Sequence, residues 1–223
     1  MAVLIVLIVL ALVALFIVSA INRKQELEQA RRMQQRKLKV RVDTIVDVVN
    51  CLEQTIPNHM IAKYINDEGI HLLQQILSLE TGSRTHIENS IHHALIRSEE
   101  LASAKRYAGA SYQKDSDAQI SHTQVQVGEA AVMLRHICAQ GKISDTELEI
   151  FTSELSWAFL MVSVASFIAQ GLKFSKLQDR FTAQNYYQKA QNLLLESQHP
   201  DSRRTRMIKE LSEIIEGSRT SMS

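Results

Sequence analysis

The chain opens on an uninterrupted apolar run. Residues 2–21 read AVLIVLIVLALVALFIVSAI and carry no charged side chain. At about 1.5 Å per residue, a helix of this length crosses the roughly 30 Å hydrocarbon core of a bilayer. A cleaved signal peptide is the alternative, but no Lys or Arg precedes the run, and the run exceeds the usual signal-peptide core of about 7–15 residues. We therefore expect a transmembrane helix over residues 2–21.

Residues 22–56 contain no Pro or Gly, so we expect the membrane helix to continue inward as one long basic juxtamembrane helix. In its second half the apolar residues are spaced alternately four and three apart, as in a heptad seam. They are Leu38, Val42, Ile45, Val49, Leu52 and Ile56. The seam predicts a possible homodimer. Because Val40, Val46 and Val48 widen the apolar face, a helix packed in the chain's own bundle is the alternative.

Residues 57–216 show the apolar spacing of amphipathic helices and few turn residues, with 7 Gly and 2 Pro in the whole chain. Aromatic residues make up 5% of the chain, and an all-β sandwich is poorly supported. We predict an all-α fold, in which an N-terminal transmembrane helix precedes a cytoplasmic helical bundle. Residues 105–117 lack periodicity and are expected to form an exposed loop, and residues 217–223 a disordered tail.

Local signals mark several ends of these helices. Asn58 follows the proline that ends the long helix and is placed to cap the next one, in which Gly69 predicts a break. Gly141 predicts the end of a later helix. Ser144 and Glu147 then form a capping-box pattern, which predicts the start of a hydrophobic central helix.

The formal net charge of +1 conceals an uneven distribution, because residues 22–41 hold eight Lys or Arg and only two Glu. The positive-inside rule then places the chain beyond residue 21 in the cytoplasm, with a single crossing and the N-terminus outside. Beside a membrane helix we interpret the basic stretch as contact with anionic lipid head groups and not as a nucleic-acid site. The residues expected to make this contact are Arg23, Lys24, Arg31, Arg32, Arg36 and Lys37.

A second apolar run, residues 155–172, is also uncharged, with an acidic flank before it and a basic flank after it. A crossing here, after an inward-directed first helix, would put the basic flank outside, against the positive-inside rule. The same flanks suit a soluble helix, because acids are favourable at the positive end of the helix dipole and bases at the negative end. We expect a buried central helix, with a second membrane segment as the alternative.

A hairpin-like pattern lies near the C-terminus. Ala183 is followed by an aromatic residue at Tyr187 and another small residue at Ala190, and counting back puts Gly171 at the small position of a preceding helix. Residues 164–197 thereby resemble one tetratricopeptide repeat, a helical hairpin of about 34 residues. The resemblance implies two closely packed helices and a role in binding peptides or proteins. Since one such hairpin cannot bury its own faces, we expect it to dock on the other helices.

The register of this resemblance also implies a partner-binding face on the first helix of the hairpin, at Ile168, Leu172, Ser175 and Lys176. Leu172 and Lys176 lie four residues apart and share a helix face, so an apolar contact would lie beside a cation suited to an acidic or carboxylate-bearing peptide. The alternative is that Ile168 and Leu172 are buried against the bundle.

Side chains with catalytic or metal-binding potential are few. His86, His92 and His93 form the densest group, but the helical di-metal pattern of Glu and His three apart is absent. Cys51 and Cys138 are single and are expected to be reduced in the cytoplasm. No P-loop, dinucleotide-binding, zinc-protease or serine-hydrolase motif occurs, and we predict no metal, no cofactor and no enzymatic activity.

Trp157 lies among apolar neighbours in the second apolar run. We expect it in the core, with no polar group converging on it.

These patterns together predict a membrane-anchored helical adaptor or scaffold that binds another protein through its cytoplasmic domain. A small helical metal-binding protein or enzyme that uses the His86, His92 and His93 region is the alternative from another functional class. A dimeric signal-transmitting stalk is a third interpretation, and it would require the seam of residues 38–56 to be exposed.

Overall fold

The computed structural model describes residues 2–103 and 110–217, and for most of residues 2–21 it describes the backbone alone. Within this part of the chain there are seven α-helices and no strand, so the predicted all-α fold is confirmed. The helices are α1 Ala2–Thr55, α2 His59–Leu79, α3 Thr85–Ser103, α4 Asp117–Ala139, α5 Asp145–Lys176, α6 Arg180–Glu196 and α7 Ser202–Ile215. The start of the predicted loop and nearly all of the predicted tail lie outside the described residues.

Helix α1 runs without interruption from the apolar segment into the bundle, as the lack of Pro and Gly predicts. Residues 22–34 of α1 are exposed on all sides. Gln35 makes a hydrogen bond to Glu80, where Nε2 lies 3.4 Å from Oε2, and from Ile45 onward one face of α1 is buried. α1 therefore consists of an apolar segment, an exposed basic stretch and a packed C-terminal part.

The seam of residues 38–56 packs within this chain. Ile45, Val49, Leu52 and Ile56 are almost fully buried, and Leu38 and Val42 pack at the edge of the same core. The bundle interpretation therefore accounts for the heptad spacing, and a homodimer would need another surface. The exposed seam that a signal-transmitting stalk requires is not observed.

Helices α1 and α3 both pack against α2, which lies between them. Asn58 caps α2 as predicted, since its side chain accepts a hydrogen bond from the Met60 amide. The predicted break at Gly69 is wrong, because α2 continues through this residue. A Cβ atom at Gly69 would lie 3.0 Å from Cγ2 of Ile45, so the glycine allows close approach of α1 instead of ending a helix.

The central helix α5 is 32 residues long and begins at the predicted capping box, where Ser144 and Glu147 exchange hydrogen bonds with each other's backbone amides. Among the residues whose side chains the structure describes, it is the one helix long and apolar enough to cross a membrane. In its most apolar window 44% of the residues are buried inside the protein. Core helices of soluble domains and membrane-spanning helices both pass this test of length and composition.

Two hydrophobic cores share α5. Its first half, with Phe151 and Leu155, packs with α1, α2 and α4, and its second half, with Met161 and Val164, packs with α6 and α7. Tyr112, in the segment between α3 and α4, contacts both cores. This segment is held at its described end by hydrogen bonds from the Ser111 amide to the Gln54 carbonyl and from the Lys114 amide to Ser166 Oγ.

Helices α5 and α6 form a closely packed hairpin over residues 164–196. Ala183 and Ala190 are buried between the helices, and the Tyr187 ring lies directly over Gly171. A Cβ atom at Gly171 would lie 2.5 Å from Cε1 of Tyr187, which no side chain tolerates without movement of the ring. The contact between Gly171 and Tyr187 therefore sets the distance between the two helices.

We predict that Gly171→Ala lowers the free energy of unfolding by about 1–3 kcal/mol, because the added methyl group overpacks this contact. Gly128→Ala is the matched control, since nothing lies within 4 Å of the added Cβ on α4. There the gain in helix propensity should raise the free energy of unfolding by about 0.5–1 kcal/mol. Denaturant unfolding of the solubilised full chain, followed by circular dichroism, measures both. Equal effects of the two substitutions would contradict the packing of the hairpin.

Candidate functional site

The sequence predicts a partner-binding face at the end of α5, and the structure divides its four residues into two groups. Ile168 and Leu172 are half-buried and pack against the core formed with α6 and α7. Ser175 and Lys176 are exposed in the last turn of α5. Ile168 and Leu172 therefore contact the bundle, as the alternative expects, but they are half-buried and not fully buried. Among the four residues, Ser175 and Lys176 are the exposed ones.

Two large apolar side chains that the sequence analysis missed lie next to Lys176. Leu177 is 67% exposed and Phe181 is 75% exposed, on either side of the turn between α5 and α6. Gln178 takes a positive φ of 62° in this turn, and Asp179 caps α6 by accepting a hydrogen bond from the Thr182 amide. We call residues 173–181 the α5–α6 tip.

The α5–α6 tip combines apolar and cationic groups. Lys173, Lys176 and Arg180 are exposed around Leu177 and Phe181, and Asp179 is the one acid in the segment. Hydrogen bonds from Thr182 hold the pKa of the Asp179 carboxyl below its usual range, so this group is ionised and engaged with the start of α6. Exposed apolar patches rimmed by polar groups mark interaction sites on soluble domains.

An aromatic cluster supports the tip from behind. The Phe174 and Tyr186 rings stack with centroids 5.6 Å apart and an angle of 9° between their planes, and Phe167 lies 6.2 Å from Tyr186. The ammonium group of Lys189 lies over Tyr186 at 5.3 Å. These ring contacts connect the last turns of α5 to α6 and limit the freedom of the turn between them.

A second cluster surrounds Trp157. The predicted burial of this residue is confirmed at 4% exposure, but the expectation that no polar group converges on it is wrong. The guanidinium of Arg203 lies over its ring at 4.7 Å, and the His199 ring is 5.2 Å away. Arg203 donates hydrogen bonds to both carboxylate oxygens of Asp201. The sequence did not predict these contacts, because His199 and Arg203 are more than forty residues away from Trp157 along the chain.

This cluster lines a cleft of about 300 Å³ between the α1–α2 turn, α5 and the connection from α6 to α7. Burial raises the pKa of Tyr112, which also faces the cleft. The Asp201 amide donates a hydrogen bond to His199 Nδ1 at 3.2 Å, and His199 Nε2 lies 3.1 Å from the Ser153 carbonyl oxygen. Since these polar groups bind one another, we interpret the cleft as the anchor that fixes the start of α7 on α5.

The histidines proposed for the alternative metal function lie on the surface. His86, His92 and His93 are exposed on α3, and the rings of His92 and His93 are 6.3 Å apart. No group of three or more His, Cys, Asp or Glu side chains among the described residues is arranged to hold a metal ion. The structure therefore does not bring a ligand set together at this place.

Both cysteines are half-buried free thiols. Burial raises the pKa of Cys51. For Cys138, the hydrogen bond that its thiol donates to Asp145 raises the pKa. Thiols shifted in this direction are poor nucleophiles at neutral pH, so the geometry favours a packing role for both.

The six basic residues expected at lipid head groups are all exposed on α1. Arg31 and Lys37 follow Ile21 by 10 and 16 residues, so along a straight helix they lie about 15–24 Å beyond it. Screening at physiological salt reduces electrostatic attraction over about 8 Å. For a helix along the membrane normal, Arg23 and Lys24 are the residues placed at the head groups, and the others reach them only if α1 tilts.

An apolar surface depression lies between α1 and α3, above α2. It has a volume of about 580 Å³, and its walls include Val42 and Val46 of α1 and Ile87 and Ala94 of α3. Polar and charged residues, among them Lys39 and Asp43 of α1, stand around these apolar residues. We call this depression the α1–α3 groove.

Comparison with known protein families, curated proteins and solved structures finds no match to this chain.

We predict that the ion pair in the Trp157 cluster makes stability depend on pH. The hydrogen bonds from Arg203 lower the pKa of Asp201 to about 2, below its unfolded value of about 3.9. The ionised Asp201 carboxylate therefore contributes fully to the free energy of unfolding above about pH 4, and this contribution is lost as the pH falls towards 2.

Asp201→Asn should remove this contribution, so the free energy of unfolding of the variant should fall less steeply between about pH 4 and pH 2 than that of the parent. Arg203→Gln should flatten the same part of the profile, because it removes the cause of the pKa shift. Urea unfolding of the solubilised chain at a series of pH values measures the difference. Parallel profiles for the parent and both variants would show that this pair does not form.

Proposed function

We propose that the chain is a membrane-anchored helical adaptor, in which residues 2–21 span the bilayer once and the α-helical domain lies in the cytoplasm and binds another protein. The proposal for the anchor rests on the uncharged run and on the eight basic residues that follow it. The resemblance of residues 164–197 to a tetratricopeptide repeat stays a prediction, because close-packed helical hairpins also occur outside that family.

The observation that carries the proposal is the α5–α6 tip. Leu177, directly after α5, and Phe181 of α6 are the two most exposed large apolar residues of this hairpin, and a turn with no binding role would gain solubility from polar residues there. Both side chains project from a turn that Asp179 and the aromatic cluster hold in place. A fixed apolar surface loses little conformational entropy when a partner covers it.

The charges of the tip indicate the kind of partner. Lys173, Lys176 and Arg180 are exposed in the same short segment as the apolar pair, so the complementary surface is an acidic protein segment that also carries apolar side chains. Lys176 is the residue through which the sequence analysis predicted contact with an acidic or carboxylate-bearing peptide. The tip retains that chemistry, but Leu177 and Phe181 replace the half-buried Ile168 and Leu172 as the apolar contacts.

We predict that the bulk of the chain faces the cytoplasm. In a background with Cys51→Ser and Cys138→Ser, the substitution Ser83→Cys places one thiol in an exposed loop. A membrane-impermeant maleimide should label it only after the cells are permeabilised, because the anchor keeps this loop inside. Labelling in intact cells would contradict the orientation.

We predict that the tip binds the partner. Lys176→Glu and Phe181→Ser, made separately in the full chain, should each cost under about 0.5 kcal/mol of stability, because both positions are exposed. Both should reduce the amount of protein captured after cross-linking in native membranes, and the parent's capture should weaken as the salt concentration rises.

Val132→Ser is the matched control, since Val132 is a similarly exposed apolar residue on α4. It should leave capture unchanged. If all three variants capture the same proteins as the parent, or if a photoreactive group at position 181 reacts with phospholipid and no protein, the tip is not a protein-binding surface.

A further inference from the structure

The α1–α3 groove has the form of an empty position in a helical bundle. Both flanking helices pack on α2, and the side chain of Arg97 on α3 binds Glu53 and Asn50 of α1. The groove lies beside this contact, because its other wall residues precede Asn50 on α1 and Arg97 on α3. Ile76 of α2 lies at the base of the gap, between the apolar residues of the two walls.

The positions that line the groove follow helical spacing on both walls. On α3 they include Ile87, Ser90 and Ala94, which recur every three or four residues and so lie on one face. On α1, Val42 and Val46 lie one turn apart on the facing side. Ridges of side chains at this spacing accept the side chains of a further helix, and the small Ser90 and Ala94 allow its backbone to approach closely.

The charges at the rim restrict what this helix carries. Arg97 is engaged by Glu53, and the Glu80 carboxylate accepts hydrogen bonds from Gln35 and from the Thr81 and Gly82 amides. Lys39 and Asp43 lie one turn apart on α1, and neither forms a salt bridge within the described part of the chain. A complementary helix places an acid opposite Lys39 and a base opposite Asp43.

The position of the groove argues for a protein and not a lipid as the occupant, and this step rests on the proposed membrane span. Lys39 follows Ile21 by 18 residues, which is about 27 Å along α1. The head-group layer occupies only the outer part of a bilayer about 40–45 Å thick, so the groove lies beyond it when α1 follows the membrane normal.

We propose that the α1–α3 groove is a second docking site, which binds an amphipathic helix of another protein. The helix lays its apolar face between Val46 and Ile87 and carries an acid and a base one turn apart, opposite Lys39 and Asp43. The groove lies between α1 and α3, whereas the tip lies at the turn between α5 and α6. The two surfaces would let the chain hold two partners at once.

Photo-cross-linking from within the groove tests this inference. p-Benzoylphenylalanine is incorporated at Val46 of the full chain in its native membranes, with Val132 on α4 as the matched control, and the two positions are 43% and 56% exposed. Irradiation of the Val46 variant should give a covalent product with another protein. Its cross-linked peptide should be an amphipathic segment with the acid and base one turn apart, and the Val132 variant should not give this product.

Two further variants test the mechanism of binding. Exchanging the charges, with Lys39→Asp and Asp43→Lys together, keeps the net charge of α1 and should reduce the yield of product roughly fivefold or more, because both charge pairs become repulsive. Ser90→Trp fills the groove and should abolish the product. Circular dichroism of the solubilised variants verifies that each is folded.

Each other outcome overturns the proposal. A product with phospholipid or with a second copy of this chain shows a different occupant, and the absence of any product shows an empty groove. An unchanged yield after the charge exchange shows that the rim does not select the partner. Cross-linking from position 181 is measured in parallel. It tests binding at the α5–α6 tip, so a negative result there is distinguished from a negative result at the α1–α3 groove.

Discussion

The architecture depends on one helix that is shared by two hydrophobic cores. Helix α5 packs its first half with α1, α2 and α4 and its second half with α6 and α7. A helix that is covered by different neighbours along its length has no polar stripe, which explains why residues 155–172 carry no charge. The hairpin of α5 and α6 cannot bury its own faces, and it is stable because α5 continues into the larger core.

Polar contacts at the junction fix how the two cores are joined. Tyr112 reaches both cores, and the stack of Arg203 on Trp157, held by Asp201, attaches the start of α7 to the middle of α5. The junction thereby joins the part of the fold that carries the proposed α1–α3 groove to the part that carries the proposed α5–α6 tip.

The sequence by itself determined the local structure. The caps at Asn58 and Ser144 were predictable because a short polar side chain satisfies the free amides of the turn that follows it. The continuity of α1 followed from the absence of Pro and Gly over more than fifty residues. The all-α fold and the lengths of the apolar segments were also predictable, because these features depend on residues that are neighbours along the chain.

The tertiary structure alone decided what each face contacts. Periodicity shows that Ile45, Val49 and Leu52 are buried, but not that they meet α2 and α4 instead of a second copy of α1. A glycine in a sequence can end a helix or allow another helix to approach closely. Gly69 and Gly171 do the second, because Ile45 and Tyr187 of other helices pack against them. Leu177 and Phe181 are apolar like core residues, and they become a candidate site because no element within the described part of the chain covers them. Contacts between distant residues form when helices assemble, so a pattern read along one helix cannot contain them.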